Sequence, residues 1–194
     1  MTTSIGFVKG YVASKLSAKR FAHTERVAEW AETLARRHGV ERQPVVFAAY
    51  LHDVAKHMAL PEMLALLEQC GQTDAHFKDM PQIVHAFAGA CLIARDLSID
   101  DARIIEAVKY HTTGHPKMGA VATVIYIADA TESGRDYPKL AQHRALALAS
   151  LQGALKVVCA DTLSYLIARR QMIHPYTIEL YNHLIKNEGD NFEY

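Results

Sequence analysis

Apolar residues recur along this chain at intervals of three and four positions, and no segment shows the alternation typical of a half-buried strand. One stripe runs through Val27, Trp30, Ala31 and Leu34, and Gly39 follows a basic Arg-Arg-His run where a helix would end. The chain has 194 residues, enough for one domain with a sizeable core. We therefore predict an all-α fold, a single compact helical bundle.

Proline and glycine divide this pattern into separate helices. Pro44, Pro61 and Pro81 each predict a helix start, and Gly71 predicts the end of the helix that follows Pro61. The polar segment 72–79 is expected to be a loop. The first half of the chain is thus predicted to hold four helices.

Further helical stretches follow in the second half. Ser98 is the expected N-cap of one, with Asp100 and Asp101 favourably placed against the dipole of its first turn. The segment Met118 to Ala130 contains a β-branched run, but its length and flanks favour a buried helix over a strand. Residues 141 to about 170 predict one long Ala- and Leu-rich helix with a core role or, alternatively, one that packs against its copy in a homodimer.

The chain ends in a short helical pattern and a polar segment. We expect a last helix around Ile178 to Ile185 and a flexible tail over residues 187–194. Because no linker or repeat interrupts the chain before that tail, residues 1–186 are predicted to form one domain.

Positive and negative side chains balance, with 21 Lys and Arg against 21 Asp and Glu. Binding to nucleic acid needs a basic face, so we expect no nucleic-acid partner, whereas a small anionic ligand needs only a few local cations. No stretch is typical of a signal-peptide core or of a membrane span. We therefore expect a cytoplasmic protein without a membrane partner.

One apolar helical segment ends in an adjacent histidine and aspartate, His52 and Asp53. Imidazole nitrogen and carboxylate oxygen together suit Fe, Mn, Co or Zn better than Ca or Mg. Neighbouring helical residues point about 100° apart, so both side chains reach one ion only where backbone and rotamers cooperate. Alone the pair is a weak signal, because such a dipeptide is more often a cap or a surface pair.

Four further residues of the same chemical types accompany the pair. His23 lies on the preceding helix, His85 and His111 lie further along the chain, and Asp129 closes an apolar helix. A carboxylate at a helix C-terminus opposes the helix dipole, so Asp129 needs a cation, which a metal would supply. His85 could instead be a core histidine bonded to a main-chain carbonyl, and His111 a favourable charge near a helix end.

The order His23, His52-Asp53, Asp129 resembles the signature of the HD-domain metal-dependent phosphohydrolases, which are all-helical. Further blocks resemble the YqeK-type members of that family, which are symmetrical diadenosine tetraphosphate hydrolases. These blocks are LHDVAK (51–56), HA-x-x-GA (85–90), HTTG (111–114), IADATESGR (127–135) and IHPYTIELYN (173–182). The chain departs from the group at Ser133, where a proline or a similar residue is more common.

This resemblance implies roles for individual residues. The metal ligands would be His23, His52, Asp53 and Asp129, holding one divalent transition-metal ion. Iron is the expected metal, with Co, Mn and Zn as alternatives, and a second ion bound by His85 and His111 is a further alternative. The catalytic residues would be Asp53, which could orient the attacking water, together with Lys56, His85 and His111.

The resemblance also implies a substrate-binding set. It comprises Arg20, Val54, Ala55, Lys56, His85, His111, Thr112, Asp129, Arg135, Met172, Ile173, His174, Pro175, Tyr176 and Thr177. Arg135 suits bidentate phosphate recognition, and segment 172–177 is expected to be a loop that closes over a nucleoside. For Arg20 and that loop, a plain surface role is the alternative.

The implied reaction is the metal-dependent hydrolysis of diadenosine tetraphosphate into two ADP. Hydrolysis of another nucleotide, such as a guanosine polyphosphate, is the first alternative. A non-catalytic sensor of metal and nucleotide is the second. The expected partner is a dinucleoside polyphosphate or another nucleotide.

Overall fold

Ten α-helices follow one another in the computed structural model, which describes residues 4–186, and no strand occurs within that range. They are α1 Ile5–Lys15, α2 Ala18–His38, α3 Arg42–Leu51, α4 Leu60–Gln69, α5 Pro81–Leu97, α6 Ala102–Tyr110, α7 Ala120–Thr131, α8 Leu140–Ala149, α9 Leu151–Ala168 and α10 Pro175–Lys186. The all-α prediction is confirmed. The tail predicted over residues 187–194 lies outside the described residues.

Four helices form the centre of the bundle. Helix α2 packs against α3 and α7, and α6 packs against the same two helices from the other side. Helix α5 lies on α6, α4 lies on α5, and α1 lies on α3. Helix α9 packs on α7 and itself carries α8 and α10. Because α2, α3, α6 and α7 meet at the centre, side chains near their facing ends can converge.

The β-branched segment is the helix α7, as predicted. Val121, Val124, Ile125 and Ile127 are all at most 5% exposed, because α7 contacts α2, α3, α6 and α9. Burial on nearly every side outweighs the modest helix propensity of β-branched residues.

The glycine signals are confirmed. Gly39 ends α2 in the left-handed conformation with φ 67°, and its N–H bonds to the Ala35 carbonyl. Gly71 follows α4 with φ 66°. Helix α3 begins at Arg42, two residues before Pro44, which is compatible with a proline in the first turn.

The prediction for Ser98 is wrong. Ser98 ends α5 in the left-handed conformation with φ 51°, and its N–H bonds to the Ile93 carbonyl. The N-cap of α6 is Asp101, whose carboxylate accepts a 2.9 Å hydrogen bond from the Arg103 N–H. The end of α5 and the start of α6 lie within a few residues of each other. Ser98 therefore belongs to the end of α5, and Asp101 has the extended conformation of an N-cap.

The single long helix predicted over residues 141 to 170 is also wrong. Ser150 is extended, with φ −155° and ψ 115°, and separates α8 from α9. Its hydroxyl accepts a 3.0 Å bond from the Gly153 N–H and caps α9. A serine can cap a new helix as readily as it continues an old one, so the apolar pattern runs through a break.

Helix α1 was not predicted. Within it only Val8 and Val12 are buried, so its sequence has little apolar periodicity. Its N-cap is Ser4, whose hydroxyl accepts a 3.2 Å bond from the Phe7 N–H.

Helix α9 meets the length and composition of a membrane span, contrary to the expectation that no segment does. The window Leu151–Ala168 has mean hydropathy 1.2 and is 22% buried. Ala154, Leu155, Val158 and Cys159 form its buried face. Length and composition do not distinguish such a span from a helix that supports a core, and α9 packs on α7, α8 and α10 in this structure.

Replacing Asp101 with Ala should lower the free energy of unfolding by about 1 kcal/mol, because the first turn of α6 loses its cap. The matched control is Ser98→Ala, which removes a hydroxyl that caps no helix and should change stability by less than about 0.5 kcal/mol. Urea denaturation of the two variants measures both values. A larger loss of stability in Ser98→Ala than in Asp101→Ala would identify Ser98 as the N-cap instead.

Candidate metal centre

The His52-Asp53 pair lies just beyond the last residue of a helix. Helix α3 ends at Leu51, His52 is its C-cap, and a series of turns continues to His57. Both side chains are 0% exposed. Since the chain turns here, the two side chains face the same interior region. Binding of one ion by both side chains requires this arrangement.

His23 and Asp129 bring two more ligand types to this region. His23 lies in α2 and Asp129 in the last turn of α7. The His23 Nε2 atom is 3.1 Å from Asp129 Oδ1, and the His52 Nε2 atom is 3.2 Å from Asp53 Oδ2 and 4.0 Å from Asp129 Oδ1. The ligand atoms of His23, His52 and Asp129 lie within 4.8 Å of one another. Packing of α2, α3 and α7 thus collects all four predicted metal ligands.

Two of the histidines are oriented by main-chain carbonyls. His52 Nδ1 is 2.7 Å from the Ala49 carbonyl oxygen, and His111 Nδ1 is 2.8 Å from the Val108 carbonyl oxygen. A carbonyl only accepts, so Nδ1 carries the proton in each ring and the Nε2 lone pair faces the cluster. Both rings are therefore prepared as ligands through Nε2.

The centre contains buried polar atoms with no hydrogen-bond partner among the described residues. They include Nε2 of His23 and Nε2 of His52, and also both carboxylate oxygens of Asp53, which have ion-pair contacts with Arg20 and His85 without the geometry of a hydrogen bond. Leaving such atoms unsatisfied costs about 1–3 kcal/mol each, and more for a charged group. A divalent cation would satisfy nitrogen and oxygen together. These residues therefore fit a transition metal, whose preferred donors they are.

Arginines reach both carboxylates from the outside. Arg20 forms an ion pair with Asp53, and Arg135 Nη2 lies 2.6 Å from Asp129 Oδ1. Arg135 Nε also donates a 2.8 Å bond to the Asp129 carbonyl. Arg135 thus supplies part of the cationic partner that a carboxylate at the end of α7 requires.

His85 and His111 extend the cluster on the other side of Asp53. His85 Nε2 is 3.1 Å from Asp53 Oδ1 and 3.2 Å from His111 Nε2. His111 Nε2 is 3.6 Å from Asp53 Oδ1, and the Lys56 ammonium is 3.2 Å from His85 Nε2. The structure therefore brings all four predicted catalytic residues together.

Burial and charge set opposite protonation states in this group. Burial lowers the pKa of His85 to about 4, with His111 and Lys56 adding to the effect and Asp53 opposing it. Burial favours the neutral form of Asp53, but the surrounding histidines outweigh it and hold the pKa of that carboxyl well below its usual range. At neutral pH, a neutral His85 thus faces an ionised Asp53.

A glycine allows α5 to deliver His85. A Cβ on Gly89 would lie 3.3 Å from Val108 Cγ1 and 3.6 Å from Val54 Cγ1. Glycine at this position lets α5 approach both α6 and the turn after α3, and it belongs to the HA-x-x-GA block.

Three of the predicted substrate-binding residues line the turns beside the cluster. Val54 and Ala55 are at most 1% exposed as whole residues, so neither offers surface to a ligand in this structure. The Thr112 hydroxyl is buried, and within the described residues it has no hydrogen-bond partner. An unpaired hydroxyl next to His111 is suited to bind a phosphate oxygen.

Only part of segment 172–177 is the predicted loop, since Pro175, Tyr176 and Thr177 begin α10. Thr177 Oγ1 donates a 2.8 Å bond to the Thr113 carbonyl, and the Tyr176 ring lies 5.8 Å from the Tyr110 ring, centroid to centroid. These contacts hold the segment beside the end of α6 that carries His111. Met172 is 52% exposed, Ile173 is half-buried, and His174 is 2% exposed.

His174 belongs to a second histidine and aspartate group, which was not predicted. His174 Nε2 lies 3.1 Å from Asp74 Oδ2, and both the N–H and Nδ1 of His76 bond to Asp74 Oδ1, at 2.8 and 2.6 Å. The Tyr176 N–H donates to His174 Nδ1 at 3.3 Å. Unlike the central cluster, this group satisfies its own polar atoms. It ties segment 72–79 to the start of α10.

Two more residues that were not predicted lie behind His23. Glu132 Oε1 is 3.2 Å from His23 Nδ1, and Arg26 Nε donates a 2.6 Å bond to Glu132 Oε2. Glu132 belongs to the IADATESGR block, and this was the only sequence signal for it.

Comparisons with known proteins cover the part of the chain that carries this cluster. Residues 20–134 match the HD domain family. A symmetrical bis(5'-nucleosyl)-tetraphosphatase from Halalkalibacterium halodurans is 33% identical over 175 residues, which are 90% of this chain and 93% of the relative. The protein of the same name from Bacillus subtilis is 34% identical over 175 residues, 90% of this chain and 94% of that one.

A solved structure is similar over nearly the full length. The crystal structure of a predicted HD superfamily hydrolase involved in NAD metabolism from Clostridium acetobutylicum has a TM-score of 0.92 and 28% identity to this chain. The match covers 97% of this chain and all of that one. The helices that carry the cluster and those packed around them therefore have the same arrangement in both proteins.

Replacing His52 with Ala should abolish tight binding of Co²⁺, because a ligand and the partner of Asp53 are lost together. The matched control is His76→Ala, which alters the second group and should leave Co²⁺ binding unchanged. Equilibrium dialysis of chelator-treated protein measures both. A loss of bound ion in the His76 variant would mean that the second group also holds metal.

Proposed function

We propose that this chain, which belongs to the HD domain family, hydrolyses diadenosine tetraphosphate symmetrically into two ADP. The reaction class is supported by one observation above all, the buried histidine and aspartate cluster with unsatisfied ligand atoms. The choice of substrate is supported by the two tetraphosphatases that are 33% and 34% identical over 90% of the chain.

The proposed reaction consumes one water molecule. Its oxygen bonds to one of the two central phosphorus atoms while the bridging P–O bond between them breaks. The bridging oxygen leaves with the other phosphate, and the proton of water is released to solvent or to the leaving phosphate. Both products are ADP.

The four residues that would hold the metal are His23, His52, Asp53 and Asp129. A divalent transition metal bound there would lower the pKa of water and polarise a phosphoryl oxygen. We propose iron, on the resemblance to the YqeK-type group, with Co, Mn and Zn as alternatives. A second group of close ligand atoms, on His52, Asp53 and His111, supports the alternative of a second ion.

Asp53 is suited to hold the attacking water. Its carboxylate is ionised and only accepts hydrogen bonds, so it would orient a water molecule through that molecule's protons. His85 is neutral beside it and can accept or donate one hydrogen bond to a phosphate oxygen or to water. His111, whose Nε2 carries the lone pair, would accept a hydrogen bond from water there.

Positive side chains at the edge of the cluster would bind the polyphosphate. Lys56 lies against His85, and Arg20 and Arg135 reach the two carboxylates. Bound phosphates would compete with those carboxylates for the arginines, which favours contact through the remaining guanidinium N–H groups. Thr112 would donate its free hydroxyl.

The nucleoside is proposed to lie against segment 172–177. Tyr176 supplies an aromatic face there, packed edge-on to Tyr110. Because His174 is bonded to Asp74, its contribution is to hold the segment in place. A homodimer stays a proposal supported by exposed apolar residues of α9, of which Tyr165 is 53% and Ile167 65% exposed, and a cytoplasmic location stays a proposal as well.

Purified protein should convert diadenosine tetraphosphate into ADP alone in the presence of Fe²⁺, Co²⁺ or Mn²⁺, and Asp53→Ala should lose this activity. Asp79→Ala is the matched control, because Asp79 is exposed and outside the cluster. Separation of products on an anion-exchange column measures the outcome. Hydrolysis in water enriched in ¹⁸O should label one ADP per substrate.

Other results would redirect the proposal. Formation of ATP and AMP would keep the hydrolase and reject symmetric cleavage. Cleavage of NAD⁺ or of a guanosine polyphosphate in preference to diadenosine tetraphosphate would change the substrate. Nucleotide binding without turnover by any metal-loaded sample would favour the sensor.

Lys56→Met should raise the KM for diadenosine tetraphosphate by about tenfold or more, the scale of one lost hydrogen bond to a charged group. Metal content should be unchanged, because Lys56 is not a proposed ligand. Lys78→Met, which removes an exposed lysine, is the control and should keep the wild-type KM. Steady-state kinetics with both variants measures the two KM values. An unchanged KM for Lys56→Met would mean that Lys56 does not bind the substrate.

A further inference from the structure

Glu132 is a buried carboxylate just beyond the end of α7. Its side chain is 2% exposed. It is the C-cap residue of α7, with φ −62° and ψ 161°. A charged side chain at this depth is costly unless it is fully hydrogen-bonded, so its partners indicate why it is there.

Three donors converge on this carboxylate. His23 Nδ1 lies 3.2 Å from Oε1, Arg26 Nε lies 2.6 Å from Oε2, and the Gly134 N–H lies 2.5 Å from Oε2. The Arg26 and Gly134 bonds satisfy the charge. The His23 bond is the one that connects Glu132 to the metal centre.

His23 differs from His52 and His111 in its place on the helix. His52 and His111 are C-caps of α3 and α6, where the last carbonyls of a helix are free to accept from Nδ1. His23 lies inside α2, where carbonyls already accept from the helix's own N–H groups. A side chain must therefore supply the acceptor for His23, and Glu132 is that side chain.

We propose that Glu132 is a positioning residue that holds His23 as the Nδ1–H tautomer, with Nε2 directed at the metal. An ionised carboxylate only accepts hydrogen bonds, so it selects the ring form with a proton on Nδ1. Nε2 is then the atom left to bind the metal, together with Asp129 Oδ1, which lies 3.1 Å from it. A carboxylate behind a ligating histidine also makes the ring a stronger donor to metal.

The surrounding residues are shaped to keep Glu132 in place. Arg26 lies along the turn that follows Glu132, and a Cβ on Gly134 would come 2.5 Å from Arg26 Nε and 2.7 Å from Arg26 Cζ. Glycine at 134 therefore leaves room for the guanidinium that fixes Oε2. Oε1 stays directed at His23.

A different role for Glu132 would be to tie the turn after α7 to α2 through Arg26 alone. In that case, loss of either partner of the ion pair would have the same consequence. If Glu132 positions His23, loss of Glu132 must weaken metal binding more than loss of Arg26, because the bond to His23 survives in the Arg26 variant.

The tautomer of His23 is measurable in the wild-type protein. A long-range ¹H–¹⁵N spectrum of Zn²⁺-loaded, ¹⁵N-labelled protein should show His23 protonated on Nδ1, with the signal identified by its loss in His23→Gln. His23 protonated on Nε2 would overturn the proposal. This measurement needs no Glu132 variant, so it tests the proposal even if such a variant does not fold.

The affinity for Co²⁺ is the second measurement, by competition with a chelator. Glu132→Ala should weaken binding by about 10- to 100-fold, the usual effect of removing such a partner, and Arg26→Met by about threefold or less. Thermal unfolding of the metal-free proteins reports whether each variant is folded. Wild-type affinity in folded Glu132→Ala, or equal losses in the two variants, would overturn the proposal.

Neither measurement involves a nucleotide. A protein that binds metal as proposed but cleaves another substrate would leave the role of Glu132 intact. An active tetraphosphatase whose His23 carries its proton on Nε2 would overturn the role of Glu132 and leave the proposed function intact.

Discussion

The structure depends on an ionised carboxylate that has no contact with solvent. Asp53 is 0% exposed, and four histidines lie within 3.8 Å of its oxygens, namely His23, His52, His85 and His111. They belong to α2, the end of α3, α5 and the end of α6. A charge this deep is stable only among cations, donors or a metal. The packing of these helices and the ionisation of Asp53 therefore support each other.

Helix ends are used as parts of the site. His52 and His111 each follow the last residue of a helix, where a free carbonyl orients the ring, and Asp129 lies in the final turn of α7. Placing ligands at helix ends satisfies carbonyls that the helix leaves open. His23 lies within a helix and takes its acceptor from Glu132 instead. In this centre, main-chain carbonyls orient the rings of His52 and His111, and a side-chain carboxylate orients the ring of His23.

Local pattern was sufficient for most of the helices and for the chemistry of the ligands, but it missed α1. The β-branched segment was correctly predicted as α7, and the HD-domain resemblance is confirmed by the family match over residues 20–134. Prediction failed where two local signals competed. Ser98 and Asp101 are both good caps, and Ser150 is compatible with either a break or a continuous helix. The backbone conformation at each position, which depends on how the neighbouring helices pack, decided the outcome.

The sequence by itself determined the helical architecture and the set of metal-binding residue types, because periodicity and side-chain chemistry are local properties. Only the tertiary structure decided which groups meet. It placed Glu132 behind His23, 109 positions away, and bonded His174 to Asp74, 100 positions away. Such contacts depend on the angles and distances at which helices pack, and these arise from the fit of many side chains together, with no signature in any one segment.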